Sequence, residues 1–114
     1  SGDDMKSDKL AGTYCVSVQT PIGFKRGTVS LRTLDSAQGD PSLAVDIKVP
    51  GLRFSISNAT CSEDQFEIQG RVSHMLGSLL FRCTGYIEGD RLVASATSGA
   101  MGLRFEGVRV NPRL

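Results

Sequence analysis

Residues 65–84 read Gln65-Phe66-Glu67-Ile68-Gln69-Gly70-Arg71-Val72-Ser73-His74-Met75-Leu76-Gly77-Ser78-Leu79-Leu80-Phe81-Arg82-Cys83-Thr84. Phe66, Ile68 and Val72 alternate with Glu67, Gln69 and Arg71. Beyond Gly77, Leu79, Phe81 and Cys83 alternate with Leu80, Arg82 and Thr84. A two-residue period is the signature of a strand, because successive side chains leave a pleated backbone on opposite faces. The break at Met75-Leu76-Gly77-Ser78 is short and contains glycine, so the two runs are expected to pair as an antiparallel hairpin.

The same pattern extends in both directions. Val45 and Ile47 alternate with Asp46 and Lys48, and eight segments emerge at about 10–20, 24–34, 42–49, 52–61, 65–74, 79–88, 91–99 and 103–111. Nothing reads as a long helix. Four tips resemble one another: Pro21-Ile22-Gly23-Phe24, Pro50-Gly51-Leu52, Met75-Leu76-Gly77-Ser78 and Ala100-Met101-Gly102-Leu103. Their glycines, Gly23, Gly51, Gly77 and Gly102, are 28, 26 and 25 residues apart. A lone hairpin cannot bury its apolar face. Four in series can close into an eight-stranded antiparallel up-and-down β-barrel, an all-β fold that also removes exposed sheet edges. A two-layer sandwich is the rival architecture. Residues 10–114 then make one barrel domain, preceded by a flexible or short helical segment over residues 1–9.

Composition narrows the function. The 114 residues include 39% hydrophobic and 22% charged side chains, which fits neither a disordered chain nor a membrane-spanning one. Thirteen Lys and Arg against twelve Asp and Glu leave a net charge of +1, which argues against a dedicated nucleic-acid binder. No lipidation motif or amphipathic helix is present, so no stable membrane insertion is expected. Cys15, Cys61 and Cys83 show no C-x-x-C spacing. They are expected to be unpaired and metal-free, pointing toward a reducing, cytoplasmic setting. Asn58-Ala59-Thr60 fits a glycosylation pattern but falls inside a strand. No phosphate loop, nucleophile elbow or dinucleotide fingerprint occurs, and no cofactor is implied.

Alternate turns of an up-and-down barrel lie at opposite ends. One end carries Asp35, Ser36, Gly39, Asp40, Ser62, Glu63, Asp64, Glu88, Gly89 and Asp90, which are ordinary solvated, acidic turns. The other end gathers Ile22, Phe24, Pro50, Leu52, Met75, Leu76, Met101 and Leu103, with Lys25, Arg53, His74 and Arg104 beside them. Turn tips are normally polar, so an apolar, basic-rimmed end is the main functional signal. The tips either fold inward as a plug or frame a mouth. In the second case Phe24, Leu52, Phe54, Met75, Phe81, Met101 and Leu103 would contact an apolar ligand. Lys25, Arg53, His74 and Arg104 would meet its polar or anionic group.

The inward phase also includes Tyr14, Val16, Val18, Val29, Leu31, Thr33, Leu43, Ile56, Asn58, Leu92, Phe105 and Arg109. Gly70, Gly85, Ala94, Ala96 and Gly107 either leave room for a ligand or let strands approach closely around a filled core. His74, the only histidine, belongs to no catalytic signature. It reads as a polar mouth residue or a solvated turn residue.

Leu10-Ala11-Gly12-Thr13-Tyr14 resembles the Gly-x-Trp element that opens the first strand of the calycins, the group of lipocalins, fatty-acid-binding proteins and avidins. Tyr14 stands where that group carries Trp. In calycins a basic side chain on the last strand lies across the aromatic ring, and Phe105-Glu106-Gly107-Val108-Arg109 places Arg109 there. The tips also look like those of small bacterial barrel proteins of unknown function. The resemblance implies a barrel closed at the Tyr14–Arg109 end, with the apolar tips at the end where calycins admit ligands. The expected function is non-enzymatic binding of a small apolar or anionic amphipathic molecule. The alternatives are a protein-interaction or homodimerisation module using the same tips, and a small barrel isomerase or cyclase.

Overall fold

The computed structural model describes residues 10–20, 23–34, 42–75, 77–99 and 101–110, with backbone only at Ser42 and Met101. The expected segment over residues 1–9 lies outside them. Eight strands run in order: β1 (Gly12–Thr20), β2 (Gly23–Leu34), β3 (Ser42–Val49), β4 (Leu52–Ser62), β5 (Gln65–His74), β6 (Gly77–Glu88), β7 (Arg91–Ser98) and β8 (Met101–Arg109). Each pairs antiparallel with its neighbours in sequence, and β8 returns to β1, so the sheet closes into an up-and-down barrel.

The hairpins are tighter than the sequence spacing suggests. His74 pairs with Gly77 and Ser98 with Met101, so β6 and β8 each begin two residues early. Two-residue connections match the twist of the strands they join, which favours this closure. At the fourth tip the left-handed glycine is Gly99, with φ of 61°, while Gly102 lies within β8 opposite Thr97. At the second tip Pro50 precedes Gly51, whose φ of 86° suits a Pro-Gly turn.

Inward residues follow the two-residue phase with one break. In β4, Ile56 faces Gly70 but Asn58 faces Gln69, so one extra residue sits at Ser57. A bulge of this kind reverses the phase beyond it. Asn58, expected inside, is therefore exposed, and Ala59 and Cys61 take the buried positions. The bulge also disturbs the other side of β4. Ser42 pairs with Thr60, and Lys48 and Val49 with Arg53 and Leu52, but no ladder pair joins the strands between these points. Among the described residues the β3–β4 seam is the widest gap in any of the eight ladders.

Glycines allow the tight curvature. A Cβ built on Gly70 or Gly107 would strike the carbonyl oxygen of Ser55 or Cys15, and one on Gly85 would come within 2.7 Å of the Phe66 ring. These positions are occupied by neighbouring strands, so their small size serves close strand approach. Buried side chains from all eight strands form one core, with Tyr14, Val18, Ile68 and Leu92 almost fully enclosed.

Candidate functional site at the barrel mouth

The connections β1–β2, β3–β4, β5–β6 and β7–β8 share one end of the barrel, and the acidic turns at Glu63-Asp64 and Gly89-Asp90 lie at the other. At the acidic end Tyr14 and Arg109 join the first and last strands. Tyr14 is buried, and its hydroxyl donates to the carbonyl oxygen of Leu10 at 2.9 Å while accepting from Arg109 Nη2 at 2.7 Å. The guanidinium carbon stands 5.2 Å from the centre of the Tyr14 ring, and Arg109 Nη1 reaches Asp90 Oδ1 at 3.1 Å. Backbone bonds from Arg109 to Asp90 and from Val110 to Thr13 tie the last strand down beside them. Ring, cation and carboxylate together tie the first and last strands at this end, beside a pocket of about 260 Å³ lined by Asp64, Ile87, Gly89 and Arg109.

Toward the mouth the packing opens. Phe54 meets Phe81 edge-on at 5.7 Å and Phe105 at 6.4 Å between ring centres, and these three rings form a floor. Phe54 of this floor and the inward-facing Val45, Ile47, Leu52, Ile56 and Leu103 are only half-buried. Five of these six lie on β3 and β4, the strands flanking the incomplete ladder. A pocket of about 450 Å³ opens between the β3–β4 and β5–β6 turns, lined by Gly51, Leu52, Arg53, Ser73, His74 and Met75.

The four basic residues divide between two faces. Lys25 pairs with the buried Val18, shares its inward phase and is half-buried. Its Nζ stands 3.5 Å from where a Cβ on Gly51 would lie, so the ammonium reaches the β3–β4 turn. His74 continues the inward phase of Ile68 and Val72 and lines the pocket. Arg53 is on the outer phase, opposite Lys48 and Ser73, at the pocket's edge. Arg104 is on the outer wall of β8, with its Nε 3.0 Å from Glu106 Oε2.

The apolar residues divide as well. Leu52 and Leu103 turn inward against the core, whereas Phe24 is 74% exposed, Met75 96% and Leu80 68%. Phe81 is buried in the floor. Ile22 and Leu76 lie outside the described residues, as does the side chain of Met101. Neither the plug nor the open-mouth expectation describes all the tips: some side chains fold in and others stand out.

Chemically, the pocket offers the apolar side chains of Leu52 and Met75, a guanidinium from Arg53 and an imidazole from His74, with the Lys25 ammonium near the Gly51 turn. The described residues lining the pocket include no carboxylate and no thiol. Among the described residues no group of three or more His, Cys, Asp or Glu is placed to hold a metal ion. Cys61 and Cys83 are buried in the core and Cys15 is exposed on the outer face of β1, all three as free thiols. Burial pushes the Cys61 thiol above its ordinary pKa and the Cys83 thiol to about 12, so both core thiols stay protonated at neutral pH. Sequence reasoning missed the incomplete β3–β4 ladder. Its signal is the change of apolar phase from Leu52, Phe54 and Ile56 to Ala59 and Cys61.

No known family matches the chain, and no curated protein or solved structure matches it either.

Proposed function

We propose that this barrel is a non-enzymatic binding protein for a small amphipathic anion, held at its mouth. The apolar part of the ligand lies over the Phe54–Phe81–Phe105 floor, against Leu52 and Leu103. Its acidic group faces Lys25 and His74. The observation that carries this reading is the half-buried ring of inward apolar side chains, which shares its inward phase with two groups able to donate to an anion. The pocket of about 450 Å³ between the β3–β4 and β5–β6 turns, which shares Leu52 and His74 with this arrangement, falls in the range of small-molecule sites. The Tyr14–Arg109 contact across the first and last strands is also what a calycin-like arrangement implies, and it supports the same reading.

Isothermal titration with decanoate, and with decanol as its uncharged counterpart, tests the proposal. Decanoate should bind saturably and more tightly than decanol. Lys25→Glu should weaken decanoate by about tenfold, the scale of one charge-assisted contact, and leave decanol little changed. Leu52→Asp should weaken both. Absence of saturable binding by either molecule refutes the proposal, and equal binding of decanoate by wild type and Lys25→Glu refutes the anion assignment.

A further inference from the structure

We infer that the hairpin-tip end of the barrel docks, shallowly and reversibly, on an anionic lipid bilayer. Phe24 on β2 and Met75 and Leu80 at the β5–β6 hairpin are the three most exposed large apolar side chains recorded at this end, at 74, 96 and 68%. Phe24 stands on the β1–β2 hairpin, across the ring of strands from Met75 and Leu80, which share the β5–β6 hairpin. Four hairpin ends at one end of a closed barrel form a ring, and a flat partner can touch several of them at once. A bilayer is flat and accepts isolated apolar side chains wherever they fall. A folded protein partner favours a continuous, shape-matched patch.

Charge selects the kind of bilayer. Lys48 and Arg53 stand directly opposite one another on the outer face of β3 and β4. Arg71 follows one step along β5, opposite Leu80. Like charges paired across a sheet repel, and a negative surface relieves that repulsion. Lys48 has Asp46 at 3.7 Å, but Arg53 and Arg71 have no carboxylate partner among the described residues. The far end carries Glu63, Asp64, Glu88 and Asp90. A chain with net charge of only +1 is thus polarised along the barrel, and an anionic surface would orient it tips-first. Among the described residues no helix takes part, so the contact is shallow and salt-sensitive. It does not depend on a ligand in the mouth.

Co-sedimentation with vesicles tests the inference. Vesicles with roughly a third phosphatidylserine in phosphatidylcholine should retain the protein at low salt and release it as salt rises, whereas pure phosphatidylcholine should not retain it. The double variant Phe24→Ser, Met75→Ser should bind about tenfold more weakly, and Arg71→Glu should also weaken binding. Tyr86→Ser and Val108→Ser, at exposed apolar positions away from the tips, should change nothing. The chain has no tryptophan, so Phe24→Trp gives a single reporter. Its emission should shift to the blue and be quenched by brominated lipid, a readout that holds even if the double variant folds poorly. Equal retention by neutral vesicles, no quenching of Trp at position 24, or unchanged binding by a folded double variant overturns the inference. So does a dimer that Met75→Ser dissociates in a protein that binds no vesicles.

Discussion

Replacing Tyr14 by Phe removes one oxygen from the Tyr14–Arg109 contact and leaves the ring in place. That oxygen serves two partners: it donates to the Leu10 carbonyl at 2.9 Å and accepts from Arg109 Nη2 at 2.7 Å. Tyr14 and Leu10 have no exposed surface and the Arg109 side chain is only 18% exposed, so water does not freely replace these bonds. A neutral hydrogen bond contributes about 0.5–1.5 kcal/mol net and one to a charged group about 1.5–3 kcal/mol. Tyr14→Phe should therefore cost about 2–4 kcal/mol, and the urea midpoint should fall by about 1–2 M. Arg109→Met loses the same bond together with the contact at 5.2 Å over the ring, worth about 0.5–2 kcal/mol. Its link to Asp90 adds little, because that carboxylate is 75% exposed. The double variant should then cost about 1.5–3 kcal/mol less than the two single costs combined, since both remove one shared charge-assisted bond. Urea unfolding of the four proteins at neutral pH, followed by far-ultraviolet circular dichroism, measures the cycle. A cost below about 0.5 kcal/mol for Tyr14→Phe, or additivity within about 0.3–0.5 kcal/mol, would refute the description of this contact as one coupled unit.

Further expectations concern the wall and the core. Gly107→Ala should destabilise by about 1–3 kcal/mol, because its Cβ would meet Val16 Cα at 2.7 Å as well as the Cys15 carbonyl. Gly102→Ala, whose nearest neighbour would be 4.0 Å away, should stay within about 0.5 kcal/mol in the same urea assay. In the native state Ellman's reagent should label exposed Cys15 quickly and Cys61 and Cys83 only on unfolding. The unfolded chain releases the Cys83 proton near 9.0 while the folded chain holds it to about 12. Stability should therefore be unaffected by this group below pH 9 and fall between pH 9 and 12, by up to about 1.4 kcal/mol per pH unit; Cys83→Ala should flatten that slope. Hydrogen exchange should be faster at amides of Leu43–Ile47 that do not serve β2 than anywhere in the continuous β5–β6 ladder. Equal protection would mean the seam is hydrogen-bonded after all.

The strands were legible because their signal is local: a pleated backbone turns every second side chain inward whatever the rest of the chain does. That is why Phe66, Ile68, Phe81 and Cys83 could be placed inside from sequence. The Tyr14–Arg109 contact was legible only through a resemblance, because 95 residues separate the partners. Asn58 was misplaced because a single bulged residue reverses the phase, and the reversal shows only once Ala59 and Cys61 are read together. The mouth was harder. Phase separates Lys25 from Arg53, but whether Met75 folds in or stands out depends on the turn and on the strands across the ring. The incomplete β3–β4 ladder was hidden for a similar reason: the bulge in β4 must be accommodated against two neighbours at once, and β5 keeps its pairing while β3 does not.

That asymmetry has a topological consequence. A closed barrel has no first strand, and the ladder that closes β1 onto β8 is continuous from Tyr14 to Gln19. The discontinuity is at β3–β4 instead. In connectivity the molecule behaves as a curled ribbon running β4-β5-β6-β7-β8-β1-β2-β3, with its two margins brought together at a seam. A circular permutant cut at Pro50-Gly51 would place its new ends at those margins and keep every complete ladder intact. In that rearranged chain the β8–β1 junction would become an internal hairpin, and the natural opening of the wall would coincide with the ends of the polypeptide.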